Sequence, residues 1–340
     1  MKQRICHLMS LLLLLLPVPF YLQAGPRKAF WYWGTSIIPE RFNNLLKLPV
    51  DEIFLKCGDL YWENGEYLLK GLQIPQDYKA DKCRLKVHLV IPFLFKEPPD
   101  RMKFISFIEK VIRESEVKLS RHGLSLSGIQ LDWEGVLSVR DYTGLVDTLK
   151  LDRKKYRLSA CFYPSFLDKP NAGELMKKFD FINIMFYDYQ FDFNDYRITD
   201  REWIVSTAKV LAGLKVPFYI GLPVYGTISV YDEKKKLVYQ QVDLPDMGIF
   251  KEPRFRTVER TAMLRKYELT ENFGYKYLHF PEGWYFIVSS PAREYLAGLI
   301  AGINMSKELI LGYCFFSYPL TDKYDLKEKD MRPLLEGIKK

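Results

Sequence analysis

Ser127-Gly128-Ile129-Gln130-Leu131-Asp132-Trp133-Glu134 reads as a strand with one polar edge. Side chains alternate across a strand, so Gly128, Gln130, Asp132 and Glu134 share one face while Ile129, Leu131 and Trp133 cover the other. Trp133, on the apolar side, is expected to pack beneath helices. A polar face where core belongs has two readings: a hydrogen-bonded structural network, or a catalytic strand that ends in paired carboxylates. What flanks this stretch decides between them.

Short apolar runs recur on both sides, at 29–33, 52–57, 85–92, 127–133, 157–164, 181–187, 217–225 and 309–317, with helix-length polar segments between several of them. The segment 102–120 carries Phe104, Phe107, Ile108, Val111 and Ile112 at helical spacing, and 141–151 carries Tyr142, Leu145, Val146 and Leu149. Eight strands alternating with helices predict an α/β fold, a (β/α)8 TIM barrel, occupying residues 25–340 as one domain. The gap at about 227–284 interrupts the alternation. Hairpin-like stretches at 228–231 and 237–240 flank a charged turn, and a helix is expected near 257–267. Together they predict a small α+β insertion between strands seven and eight. In this fold the site lies at the C-terminal strand ends, so an insertion there builds a cleft wall.

Residues 1–24 read as a cleaved signal peptide: Lys2 and Arg4 lead, Leu11 to Leu16 form the apolar stretch, and Leu22-Gln23-Ala24 offers a small-residue cleavage site. The expectation is a secreted or periplasmic protein with no stable membrane span, since the apolar run is short and ends in Pro17 and Pro19. The formal charge of +8 includes Lys2 and Arg4 and is scattered along the chain. It implies solubility or mild attraction to anionic surfaces, with no nucleic-acid motif beside it. Cys161 and Cys314 sit in apolar runs and read as buried free thiols, while a bridge between Cys57 and Cys83 stays open. No Cys/His spacing suggests a metal, and no cofactor or partner chain is implied; a monomer is the default. His88 reads as a strand residue and His122 as a surface loop residue.

Two further clusters keep the first company. In 181–188, Asn183, Met185 and Tyr187 would face inward with Asp188 at the mouth; in 221–226 a Gly-Leu-Pro-Val-Tyr-Gly run closes the seventh strand. With these in view, the chain resembles the family 18 glycoside hydrolases, the chitinase and endo-N-acetylglucosaminidase group. Their fourth-strand D-G-x-D-x-D-x-E is matched by Gly128, Asp132 and Glu134. Their sixth-strand M-x-Y-D is matched by Met185, Tyr187 and Asp188, and their seventh-strand G-x-P-x-Y-G by Gly221, Pro223, Tyr225 and Gly226. Ser127 and Gln130 depart from the first two aspartates, and Phe316 stands near the place of a tryptophan that floors the sugar site.

The resemblance implies a carbohydrate partner, an N-acetylated glycan or oligosaccharide, and a catalytic set of Glu134, Asp132, Tyr187 and Asp188. Glu134 would be the general acid, Asp132 would orient the substrate's 2-acetamido group, Tyr187 would donate to its oxygen, and Asp188 would fix the geometry. Gln130, Met185, Tyr225, Trp284 and Phe316 are the expected substrate-binding residues. Trp31, Tyr32, Trp33, Tyr61, Trp62 and Tyr163 are further aromatic faces that either stack on sugars or fill the core. Three readings stay open: a retaining glycosidase on N-acetylglucosamine-containing glycans, a catalytically silent carbohydrate-binding barrel, and an enzyme on sugars without the acetamido group that uses Asp188 or another mouth carboxylate as nucleophile.

Overall fold

Eight strands close into a parallel barrel because their residues alternate between two hydrophobic layers, one inside the ring and one beneath the helices. The computed structural model describes residues 25–80, 85–93, 100–134, 138–187, 190–191, 196–244, 257–260, 285–289, 293–303, 309–318 and 328–338. Residues 1–24, Cys83, Asp188 and Trp284 lie outside them.

The first half of the chain runs β1 (Arg27–Tyr32), α1 (Pro39–Leu46), β2 (Glu52–Lys56), a hairpin of β3 (Gly58–Glu63) and β4 (Glu66–Gly71), then β5 (Lys86–Phe93). It continues with α2 (Arg101–Arg121), β6 (Leu126–Trp133), α3 (Val139–Thr148), β7 (Arg157–Phe162) and α4 (Ala172–Met176). Next come β8 (Phe181–Met185), the short pair β9 (Gln190–Phe191) and β10 (Tyr196–Arg197), α5 (Arg201–Leu214) and β11 (Phe218–Pro223). Strands β12 (Gly226–Tyr231), β13 (Leu237–Leu244), β14 (Thr257–Arg260) and β15 (Tyr285–Ser289) follow, and α6 (Arg293–Gly302), β16 (Ile310–Tyr318) and α7 (Glu328–Gly337) end the chain. The barrel order is β1-β16-β11-β8-β7-β6-β5-β2, closed on itself. Its eight strands are the eight predicted runs, with ends shifted by a few residues.

Helix starts follow local chemistry. The Asp100 carboxylate accepts from the Lys103 amide at 2.9 Å ahead of α2, Ser138 Oγ from the Asp141 amide at 3.1 Å ahead of α3, and Asp200 from the Trp203 amide at 2.9 Å ahead of α5. Each satisfies an amide that the first helical turn leaves open. The outward strand faces bury beneath these helices. Trp133 meets Phe93 at 4.7 Å and Tyr142 at 5.1 Å between ring centroids, which is the packing role its face predicted. Burying such a side chain contributes roughly 2–3 kcal/mol.

The barrel interior is a second cluster: Ala29 and Trp31, Phe54, Val90, Cys161, Phe181 and Met185, Tyr219 and Cys314, one or two from every barrel strand but β6, whose inward face is polar. Its lower end holds a buried charge. Glu52 is fully buried, with Arg27 Nη1 at 2.7 Å from Oε1 and His88 Nε2 at 3.2 Å from Oε2. Gly128 makes room for that imidazole, because a Cβ there would lie 2.3 Å from His88 Nδ1 and 2.8 Å from the Arg157 carbonyl oxygen.

Strands β12 to β15 form one antiparallel sheet ordered β13-β12-β15-β14, between the seventh and eighth barrel strands. The expected helix near 257–267 is corrected over its first residues. Thr257–Arg260 is a strand paired with Tyr285–Val288, where β-branched Thr257 and Val258 suit a pleated neighbour. The hairpin β3–β4 was not foreseen. His122 is likewise not on the surface: it caps α2, 8% exposed, with Nδ1 2.6 Å from the Tyr78 carbonyl oxygen. Cys57, Cys161 and Cys314 are buried free thiols. Among the described residues no helix is long and apolar enough to cross a membrane.

Candidate active site at the barrel mouth

The alternation of β6 is realised as read: Gln130 and Asp132 point into the barrel and Ile129, Leu131 and Trp133 away from it. Asp132 is 3% exposed. Glu134, the first residue past the strand, is tied to β5 by its amide, 3.3 Å from the Phe93 carbonyl oxygen, and its side chain reaches solvent at the rim. Two residues apart on one face, the carboxylates stand one above the other.

Their electrostatics differ from those of surface acids. Burial pushes the Asp132 carboxyl from 3.8 to about 7, the Glu134 charge adds to the rise, and the Cys161 thiol and Lys56 ammonium oppose it. Partial desolvation at the rim raises the Glu134 carboxyl too, against the pull of Lys56, even though the residue as a whole is exposed. Lys56 ends β2 at the mouth, its Nζ 2.6 Å from Asp59 Oδ1 and 4.8 Å from the centre of the Trp33 ring. It is a site residue that the sequence reading missed; the signal was a cation at the C-terminal end of an apolar strand.

The expectation that Gln130 meets substrate is corrected. It is fully buried, and its amide is spent inside the barrel, with Oε1 accepting from Trp31 Nε1 at 2.7 Å and Nε2 facing Ser159 Oγ at 3.5 Å. Trp31 is correspondingly a wedge inside the barrel, 1% exposed, and not a stacking face. Gly221 opposite gives it space, since a Cβ there would fall 3.1 Å from the indole and 2.8 Å from the Ile184 carbonyl oxygen. The polar residue at position 130 thus belongs to the structural network, and only Asp132 and Glu134 reach the mouth.

Above this floor the aromatic residues converge. Phe316, partly exposed, stacks on Tyr187 at 5.4 Å and 21°, and meets Tyr225 at 5.9 Å, Trp33 at 5.4 Å and Trp31 at 6.0 Å. Tyr187 also meets Tyr163 edge-on at 6.3 Å, and Tyr163 is exposed. Burial, first, and neighbouring tyrosines push the Tyr187 phenol well above its usual range, so it stays a hydrogen-bond donor. Met185 lies buried just below. Expected catalytic residues Asp132, Glu134 and Tyr187 therefore share one end of the barrel with expected binding residues Tyr225 and Phe316. Tyr61 and Trp62 stand on the β3–β4 hairpin, Tyr61 exposed. A groove of about 450 Å³ between that hairpin and α2, lined by Leu89 and Phe107, lies on the outer side of the barrel wall and holds none of these groups. Among the described residues no group of three or more His, Cys, Asp or Glu side chains is placed to hold a metal ion.

Residues 91–307 match the family described as glycosyl hydrolases family 18. Solved structures share the fold at low identity. The spore cortex-lytic enzyme SleL of Bacillus cereus has a TM-score of 0.59 at 14% identity, over 93% of this chain and 74% of that one. The group IV chitinase of Ostrinia furnacalis has a TM-score of 0.56 at 13% identity, over 92% and 98%. The class V chitinase of Nicotiana tobaccum has a TM-score of 0.53 at 16% identity, over 92% and 99%. No curated protein matches the chain.

Proposed function

Because the chain belongs to the family 18 glycosyl hydrolases, we propose that it is an exported, retaining glycosidase that cleaves N-acetylglucosamine-containing glycans with the substrate's own acetamido group as nucleophile. The observation that carries this reading is the stacked pair of Asp132 and Glu134 at the C-terminal end of the fourth barrel strand, both held above the ordinary carboxylate range. A carboxyl whose surroundings raise it keeps its proton to higher pH, which suits a general acid.

The chemistry follows from the placement. Protonated Glu134 gives its proton to the glycosidic oxygen as the bond to the anomeric carbon breaks. The acetamido oxygen bonds to that carbon from the opposite face, and positive charge spreads over the amide. Asp132, below Glu134, faces the amide N–H and stabilises that charge. Tyr187, a phenol throughout, donates to the acetamido oxygen and holds it in line. Water then attacks the anomeric carbon as its bond to the acetamido oxygen breaks and the neutral amide re-forms, Glu134, now ionised, taking the water's proton, so configuration is retained and no protein nucleophile is used. Phe316 and Tyr163 offer ring faces for the sugar, with the buried Tyr187 and Tyr225 packed against Phe316. Asp188 and Trp284 complete the proposed set from the sequence alone. Residues 1–24, read as a signal peptide, support export.

The test is hydrolysis of fluorogenic N-acetylglucosamine oligomers by the protein and by Glu134→Gln from mildly acidic to neutral pH. The variant should lose about 10²–10⁴ in rate with its fold intact. Equal turnover by both would reject the assignment. Oligosaccharide binding by a folded protein without turnover would instead establish a silent, sugar-binding barrel, the reading that the neutral Gln130 favours.

A further inference from the structure

Asp132 lacks a second carboxylate to share a proton with, because Gln130 beneath it is committed to Trp31 and Ser159. Its orientation must come from elsewhere. Strand β7 supplies a neighbour: Leu131 pairs with Ala160, so Asp132 and Cys161 follow side by side at the top of the β6–β7 pair. Both are buried, Cys161 lies in the inner cluster with Met185 and Tyr187, and its thiol favours the ionised form of the Asp132 carboxyl. Oxygen Oδ1 of Asp132 has no hydrogen-bond partner among the described residues. The thiol is thus the neighbour on β7 placed to hold the carboxyl, and Oδ1 is left open for an incoming donor.

The other groups that act on Asp132 do not replace this contact. Glu134, on the same strand, repels its charge, and the Lys56 ammonium from β2 attracts it. Tyr187 beyond β8 and Tyr142 on α3 feel its field, and the Tyr142 hydroxyl faces the Leu131 carbonyl oxygen at 3.5 Å. Cys314 on β16 lies beyond Cys161. Burial, first, and the Asp132 charge push the Cys161 thiol well above its usual range, so it remains a neutral donor and not a thiolate.

We propose that Cys161 is the positioning residue of the reaction: its thiol fixes the Asp132 carboxyl so that Oδ1 meets the substrate amide N–H, and it stabilises the ionised form. This rests on the glycosidase reading above. A hydrogen bond to the charged form of an acid favours that form.

The test compares the protein with Cys161→Ala and Cys161→Ser, using the fluorogenic oligomers across pH and, separately, infrared titration of the buried carboxyl with Asp132→Asn for assignment. Cys161→Ala should lower kcat about fivefold with KM little changed, and move the acid limb of kcat/KM up by about half a pH unit or more. Cys161→Ser, whose hydroxyl is the stronger donor, should restore both. An unmoved acid limb in Cys161→Ala, or equal profiles for the alanine and serine variants, overturns the proposal. Should the folded protein prove unable to hydrolyse the oligomers, the glycosidase reading falls, and the infrared titration still decides the contact. The Asp132 carboxyl must titrate higher in Cys161→Ala than in the parent; an unshifted titration rejects the hydrogen bond.

Discussion

Asp132→Asn should stabilise this protein, and more so as pH rises. The residue is 3% exposed, and its carboxyl is held at about 7 against 3.8, chiefly by burial and then by the Glu134 charge. The folded-state value lies above the unfolded one, so between about pH 4 and 7 the native state binds the proton that the unfolded chain has released. Stability contributed by this group is present at low pH and lost as pH rises through that window. At about 1.36 kcal/mol per tenfold, the full loss is roughly 4 kcal/mol. Roughly 1.5 kcal/mol is already lost by pH 5, leaving about 2.5 kcal/mol between pH 5 and 7.5. Asparagine keeps the shape and an acceptor for Cys161 without the charge. An unfolding entropy of about 2.1 cal/mol/K per residue is roughly 0.6 kcal/mol/K for a barrel of this size. The Tm gap between variant and parent should therefore widen by about 4 °C from pH 5 to 7.5, read by circular dichroism melts in matched buffers. A gap that stays constant, or narrows as pH rises, would refute the claim that Asp132 is a buried carboxyl held above its usual range.

Glu52→Gln should destabilise the fold by roughly 1–3 kcal/mol near neutral pH, because it unpairs the half-buried Arg27 and takes the carboxylate from the buried His88. Burial alone would raise the Glu52 carboxyl, but His88 and Arg27 outweigh it and hold it at about 2. Its contribution is present above the ordinary glutamate range and lost as pH falls toward 2, so the deficit in urea melts should narrow on acidification; a deficit that is absent at pH 7 contradicts the buried network. Gly128→Ala places a Cβ 2.3 Å from His88 Nδ1. It should cost about 1–3 kcal/mol in chemical denaturation, and a neutral outcome would mean that the imidazole does not pack against β6.

Periodicity made the barrel legible. All eight strands announced themselves as apolar runs at the right intervals, and the alternation of β6 correctly separated Asp132 from Trp133, because a one-residue period error would have inverted every side chain. The hairpin β3–β4 stayed hidden because Gly58–Gly71 mixes charged residues with scattered apolar ones, and its pairing is set by facing backbone, not by burial. His122 misled for a similar reason: a polar residue before Gly123 reads as loop, yet the helix end it caps is covered by Tyr78. Neither contact leaves a local pattern. Trp31 and Gln130 form the plainest case, lying 99 residues apart in sequence and 2.7 Å apart in space. Gln130 alone looked like a ligand contact and Trp31 was open between a sugar face and core, and only the closure of β1 next to β16 turns them toward one another.

That contact also bears on what separates this chain from the pattern it resembles. Where the family places a second aspartate, a neutral amide donates toward Ser159 and accepts from Trp31, so the position contributes rigidity and no charge. The remaining carboxylate is then governed by three neighbours at the mouth: Glu134 above it, Lys56 across from it and Cys161 beside it. Removing a like charge from beneath Asp132 eases its ionisation, while the dry barrel opposes it. Burial is the larger effect, as the value near 7 records. A proton is thereby kept within reach of Glu134 near neutrality without the carboxylate ladder that the resemblance would call for, which is what the proposed general acid needs.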